Sequence, residues 1–396
     1  VSSSRSTGRV PRDRASPAGS CAPALVPGPP LSYASVMPPL DLHVALFGAS
    51  GAGKTVLLAA FYRAQTQPSF QQEYAYKIQA VNKAQGNQLL GRFYRLEEGR
   101  FPDGSTRFDE YEFDFFPRDL PEPAVRIHWY DYPGRWWEDE PVDADEREAM
   151  RQGLIRLGMS QVGILLADGA KYRAEGTGYI RWLFEHFADE CDRLRRASAA
   201  TGDEVSFPRE WILALSKADL CPPDYSARDF EREVCRDADD QLAKLCSVLR
   251  AEHAFGHRFM LLSSVAAPAG AQVDPRTSLG VRTLAPAILV STVEGAVREA
   301  QAARKEKSAG ETFFQGLRDL VQFVDSLDDF LPKRYQIVSK ILRFISIKDF
   351  ATTRLDRLKK MREDAIRKGD TFTAVLTAMV AALRDDEGAR AYHQNQ

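Results

Sequence analysis

Eight consecutive residues, Gly48-Ala49-Ser50-Gly51-Ala52-Gly53-Lys54-Thr55, satisfy the pattern G-x-x-x-x-G-K-[ST] at every fixed position. Glycines at these places let backbone N–H groups turn inward and close on a phosphate. The spacing brings Lys54 to the β- and γ-phosphates of a nucleotide and leaves the Thr55 hydroxyl for magnesium. The expected phosphate site therefore comprises Gly48, Ser50, Gly51, Ala52, Gly53, Lys54, Thr55 and Val56. Such a loop needs a strand before it and a helix behind it. Residues 42–47 form a short apolar run that reads as a buried strand, and residues 56–62 are rich in helix formers. The N-terminus of that helix adds partial positive charge behind the phosphates.

Three more stretches carry chemistry. Asp131-Tyr132-Pro133-Gly134 follows an apolar run at 125–130, Ser216-Lys217-Ala218-Asp219 follows one at 211–215, and Ser263-Ser264-Val265 follows one at 259–262. Each run reads as a strand, and helices are expected between them near 146–158, 179–196 and 230–253. Residues 107–115 alternate apolar and polar and form an expected antiparallel hairpin with 125–130 at a sheet edge. Residues 78–98 read as one helix, broken by Gly99-Arg100-Phe101-Pro102-Asp103-Gly104-Ser105. Alternating strands and helices imply an α/β fold with a mainly parallel sheet covered on both faces. A ligand crevice then lies at the carboxyl ends of the strands, where all four motifs sit.

Composition sets the limits. The 53 basic and 55 acidic residues nearly cancel, so no polyelectrolyte partner is implied and no specific nucleic-acid binding is expected. The five cysteines are odd in number and form no C-x-x-C pair, which fits a reducing cytoplasm rather than a disulfide framework. No apolar run is long enough to span a bilayer. Residues 1–40, rich in Ser, Pro, Arg and Gly, read as a disordered tail. From residue 283 to 396 only helical patterns are seen, at 313–331, 335–345, 353–366 and 371–383, so a helical C-terminal region is expected after an α/β domain at 41–282 with a helical insert near 66–100. His253 and His257 have i, i+4 spacing but no third metal ligand nearby. Residues 333–368 carry twelve Lys and Arg against four Asp and Glu, a net of +8. Interleaved apolar residues suit a packed helix with a solvated basic face, or a weak contact with a membrane surface or an acidic partner.

The ordered set GASGAGKT, DYPG, SKAD and SSV resembles the Ras-like class of P-loop GTPases over about residues 41–270. The third motif, continued as Arg135-Trp136-Trp137, and the loop ending Gly104-Ser105-Thr106 are similar to poorly characterised bacterial GTPases with a DYPG-tryptophan motif. The resemblance implies GTP/GDP and Mg2+ as ligands. It implies that Asp131 and Thr106 join Thr55 at the metal and that the Gly134 N–H meets the γ-phosphate. It further implies that Asp219 reads guanine, Lys217 lies along the base, and the Ser264 backbone touches the guanine oxygen, with Ser263 and Val265 flanking it in the nucleotide site. Ser216 replaces the usual Asn or Thr of the base motif. Arg135 stands where a water-orienting Gln is common, so it either slows hydrolysis or supplies charge to the transition state. Trp136 and Trp137 either pack the loop onto the core or form a partner contact. The implied role is a GTP-binding regulatory switch with slow Mg2+-dependent hydrolysis acting on an unidentified effector. The alternatives are a P-loop ATPase and a nucleotide-bound scaffold without turnover.

Overall fold

The structure, a computed structural model, describes residues 39–102, 104–105, 107–137, 141–158, 160–201, 207–208, 210–249, 259–265, 279–289, 291–292, 355–368, 374–375, 377–379 and 381. Thr106, His253, His257, the tail expected at 1–38 and the helices expected at 313–331 and 335–345 lie outside them, as does 333–354 of the basic stretch.

Strand β1 (Leu40–Phe47) leads through the glycine loop into α1 (Lys54–Thr66) and the short α2 (Pro68–Tyr74). Next come β2 (Tyr76–Ala80), α3 (Lys83–Glu97), β3 (Asp109–Pro117) and β4 (Val125–Asp131). A single 3-10 turn, Gly134–Trp137, precedes α4 (Ala144–Gly158), β5 (Val162–Asp168), α5 (Gly169–Glu175) and α6 (Thr177–Thr201). The chain continues through β6 (Glu210–Ser216), α7 (Ala227–Asp237), α8 (Asp239–Leu249) and β7 (Phe259–Leu261), and α9 spans Leu355–Lys368. Among the described residues no helix is long and apolar enough to cross a membrane.

The seven strands form one sheet in the order β2-β3-β4-β1-β5-β6-β7. From β4 to β7 all pairs are parallel, whereas β2-β3 and β3-β4 are antiparallel. The hairpin of β3 and β4 is present as the alternation predicts, but β2 rather than β3 is the edge. This corrects the reading of 78–98 as one helix. Tyr76 and Ile78 point to one face with period two and are buried, and Ile78 pairs with Phe115. The Asn82 side chain then accepts from the N–H groups of Ala84 and Gln85, so the helix starts only at Lys83. The single helix expected at 230–253 is likewise two. Ala238 leaves the helical region at φ −134°, and a capping box of Ser226 and Asp229 starts the first of them.

Alternation along β1 divides the core. Leu42, Val44 and Leu46 face the cluster that holds α1 and α3, while Ala45 and Phe47 face the cluster of α4, α6, α7 and α8. Residues 284–289, at the start of the stretch read as the helical C-terminal region, are helical and buried in the first cluster with Val375, Ala378 and Met379. The described residues of 371–383 are helical, and α9 covers most of the helix expected at 353–366. Arg362 of α9 lies 3.5 Å from the Asp119 carboxylate in the β3-β4 connection.

Candidate nucleotide site

The centre of the sheet decides where a ligand can bind. β1 is flanked by β4 on one side and β5 on the other, so successive connections leave its carboxyl end in opposite directions. The glycine loop occupies that point. Gly51 at φ 77° and Gly53 at φ 93° adopt a backbone that side chains rarely tolerate, and Gly53 caps α1. The loop borders a cavity of about 520 Å³ lined from Ser50 through Val56, then by Phe101, Gly104, Ser105, Gly134, Lys217, Asp219, Ser264 and Val265. All four sequence motifs therefore contribute to one cavity.

Lys54 is buried and its Nζ donates to the carbonyls of Gly48 at 2.6 Å and Ala49 at 3.1 Å. Thr55 Oγ1 donates to Asp131 Oδ2 at 3.1 Å and lies 2.8 Å from Ser105 Oγ, which in turn donates to the same Oδ2 at 2.8 Å. Asp131 is 1% exposed, and its Oδ1 is buried without a hydrogen bond. Burial pushes its pKa up, against the opposing pull of Ser105, Lys54 and Thr55. Three oxygen-bearing side chains converging beside an orphaned carboxylate oxygen fit a hard divalent cation such as Mg2+. Ser105 was not singled out in the sequence. Its hydroxyl reaches the place the sequence reading gave to its neighbour Thr106.

Two connections tie the DYPG turn to the loop. The Tyr132 hydroxyl accepts from the Gly48 N–H at 2.9 Å, and Lys54 Nζ lies 5.1 Å from the centre of its ring. Gly134 approaches so closely that a Cβ there would lie 2.7 Å from Ser50 Cα and 2.9 Å from Lys54 Nζ. Beyond it, Trp136 and Trp137 are buried at 4% and 5% exposure, which fits the packing role. Trp137 meets the rings of Phe47, Tyr132 and Phe187, and its carbonyl is 2.7 Å from His186 Nε2. Arg135 is ion-paired with Glu146, whose carboxylate also accepts from the Val142 N–H.

At the far end, Asp219 Oδ1 accepts from Ser263 Oγ at 2.8 Å. Ser263 thus orients this carboxylate from behind, while Ser264 and Val265 line the cavity. Lys217 takes the left-handed backbone at φ 51°, and its Nζ bonds Asp168 Oδ2 at 2.8 Å. Asp168, at the end of β5, caps α5 through the Ala170 N–H and also holds Lys217. Ser216 lines the cavity beside Lys217 and Asp219, and its Oγ donates back to the Ala167 carbonyl at 3.0 Å. Its short side chain finds the neighbouring strand first.

No family model and no curated protein matches the chain. Among solved structures it is similar to the S. cerevisiae Ski7 GTPase-like domain bound to GDP and inorganic phosphate, at 16% identity over 57% of this chain and 44% of that one, with a TM-score of 0.31. It is similar to the signal recognition particle receptor SRb-GTP/SRX complex from Chaetomium thermophilum, at 17% identity over 58% and 96% of the two chains, TM-score 0.32. The cytosolic domain of the T. maritima FeoB iron transporter in its GMPPNP form shares 14% identity over 76% and 92%, TM-score 0.28. The chain spans less than half of the Ski7 chain it matches. Strand order, glycine loop and helix placement together make this a P-loop G-domain fold of the Ras-like type.

Proposed function

We propose that the chain is a regulatory switch that binds GTP and GDP with Mg2+ and hydrolyses GTP slowly. One observation carries the reading. A single cavity is lined at once by the phosphate loop, by Ser105 and Gly134, and by Lys217 and Asp219. The loop N–H groups and the α1 N-terminus supply fixed dipoles for the phosphates. Lys54 exchanges its two backbone acceptors for β- and γ-phosphate oxygens. Thr55, Ser105 and Asp131, with Thr106 of the sequence reading, hold Mg2+, which when bound offsets charge on the phosphate oxygens. Gly134 offers its N–H to the γ-phosphate. Asp219, held by Ser263, accepts from the N1–H and 2-amino group of guanine, and Lys217 lies along the base.

Slow turnover follows from what faces the reacting end. Among the described lining residues none is Gln, His or Glu, the side chains that commonly orient an attacking water, and this supports the slow-hydrolysis reading. Arg135 is committed to Glu146 and stands as a bracing residue for the turn. A change in the Gly134–Trp137 turn between nucleotide states is what an effector would read. The net charge of +8 over 333–368 would suit a weak contact with an acidic partner or a membrane surface.

The test is a calorimetric panel of GTP, GDP and ATP with Mg2+, on the wild type and on Asp219→Asn. Adenine leaves the Asp219 carboxylate without its donors, a loss of about 1–3 kcal/mol or more. That is roughly tenfold to more than a hundredfold weaker binding of ATP. The variant should lose GTP affinity and gain xanthosine triphosphate. Equal affinity for GTP and ATP, or a variant with wild-type GTP binding, would remove the guanine assignment.

A further inference from the structure

A second group of ligating side chains lies on the sheet away from the cavity. The register sets His43 of β1, His128 of β4 and Glu112 of β3 in one cross-strand row. The next row toward the loop is Ala45, Tyr130 and Glu110, and the row behind is Asp41, Arg126 and Asp114. With a period of two, all nine side chains share one face. His128 is the centre. Its Nδ1 is 3.1 Å from Glu110 Oε1 and 3.2 Å from Glu112 Oε1, while its Nε2 is 3.1 Å from Asp41 Oδ1. The His43 ring stacks on it at 4.3 Å, and His43 Nδ1 is fixed by the Tyr130 hydroxyl at 2.7 Å.

A single ring N–H cannot serve two carboxylates well, yet two carboxylates converge on one nitrogen. The spacing is what a metal polyhedron requires. Ligands about 2.0–2.2 Å from an ion, at angles between octahedral and tetrahedral, stand roughly 2.8–3.6 Å apart. The ligand atoms of Glu110, Glu112 and His128 all lie within 4.8 Å of one another. The other ring nitrogen completes the pattern. A metal-bound histidine donates its remaining N–H to a carboxylate that fixes its tautomer, and Asp41 occupies that position. The second oxygen of Glu110 lies 3.8 Å from Arg156, which steadies that carboxylate. His128 is 13% exposed and the two glutamates about one third, so the group is sheltered but open to an entering ion.

We propose that Glu110, Glu112 and His128 form a binding site for a divalent first-row transition metal ion, with Asp41 orienting His128. One imidazole with two carboxylates favours Zn2+, Co2+ or Mn2+ over Mg2+, which prefers oxygen alone. The site is separate from the Thr55–Asp131 group. His128 precedes Asp131 by three residues on a strand, roughly 10 Å. The ion would clamp β3 to β4 just beyond the loop that carries Ser105.

The test is titration of CoCl2 into the full chain, stripped with chelator and held in GDP with excess Mg2+ so that the nucleotide site is filled. Heat and visible absorption are both read. One equivalent should bind, with weak d–d bands and no thiolate charge-transfer band. Glu112→Gln and His128→Gln should each weaken it by at least about tenfold, and Asp41→Asn by roughly 10–100-fold. Circular dichroism checks the fold, and the half-exposed Glu112→Gln suffices if His128→Gln does not fold. No binding to the wild type, a thiolate band that puts the ion on cysteine, or unchanged affinity in Glu112→Gln would each overturn the site.

Discussion

Replacing Gly134 with alanine adds one methyl group at the tightest contact between the DYPG turn and the phosphate loop. Its backbone lies outside the positive-φ region, so alanine adopts it without strain and the effect is purely steric. The added carbon would sit 2.7 Å from Ser50 Cα and 2.8 Å from Ser50 N, backbone atoms that cannot swing aside. The loop behind them is fixed by α1 and by the Gly48–Tyr132 hydrogen bond. Overpacking of this kind costs about 1–3 kcal/mol. At roughly 2–4 °C per kcal/mol for a domain of this class, the nucleotide-free protein should melt about 2–12 °C lower. Gly104→Ala is the control, because no described residue lies within 4 Å of its added carbon. A thermal melt of the two variants beside the wild type decides the matter. Displacement of the turn should also change tryptophan emission, since Trp136 and Trp137 follow directly and are buried. If Gly134→Ala melts with Gly104→Ala and keeps the wild-type spectrum, the turn does not rest on the loop.

Tyr132→Phe removes the acceptor of the buried Gly48 N–H, so stability should fall by about 1–3 kcal/mol, and GDP affinity, read by calorimetry, should fall with it. Burial raises the Asp131 pKa above its unfolded value, so between the two values the folded chain holds a proton that the unfolded chain lacks. In the Mg2+- and nucleotide-free protein, stability therefore drops as pH rises through the folded pKa, and Asp131→Asn should melt higher than the wild type at neutral pH, with the gap closing as the pH is lowered through that range. A melt series with pH checks this, and a wild type that is the more stable at neutral pH contradicts it. Gly163→Ala would set a carbon 2.5 Å from the ring of Trp211, which is fully buried against Phe47 and Phe187. Denaturant unfolding should show a loss of about 1–3 kcal/mol with the slope unchanged.

The parts of the site that depend on backbone were legible in the sequence, because glycine spacing and an apolar run before each motif are local signals. The strand-end placement of Asp131, Asp219 and Ser264 followed from them. What was hidden depends on contacts between distant segments. Ser105 meets Thr55 and Asp131 across 50 and 26 positions, and nothing local separates it from the adjacent Thr106. Asp168 and Lys217 are 49 positions apart and meet because β5 and β6 are parallel neighbours in register at their ends. Tyr132 carries no local signal of its role, and its hydroxyl accepts from an N–H 84 positions back. In the fold, β2 was lost because Ile78 and Val81 also satisfy helical spacing. Only pairing with β3 settles the period, and Val81 proves to be exposed.

The helical residues 284–289 are buried and belong to the same core cluster as Val375, Ala378 and Met379. This has a consequence for biosynthesis. A ribosome that has just finished β7 at residue 261 must add 114 more residues to reach Val375. At about 5–20 residues per second, that interval lasts roughly 6–23 s. Once residue 289 has been added, the growing chain has every described strand of its sheet but still lacks Val375, Ala378 and Met379, so Leu284, Ile288 and their neighbours form a sticky nascent surface for the rest of that interval. Chaperone occupancy on translating chains should peak within this window. Truncations ending before residue 374 should behave as stalled versions of the same intermediate, soluble only while something else shields that face.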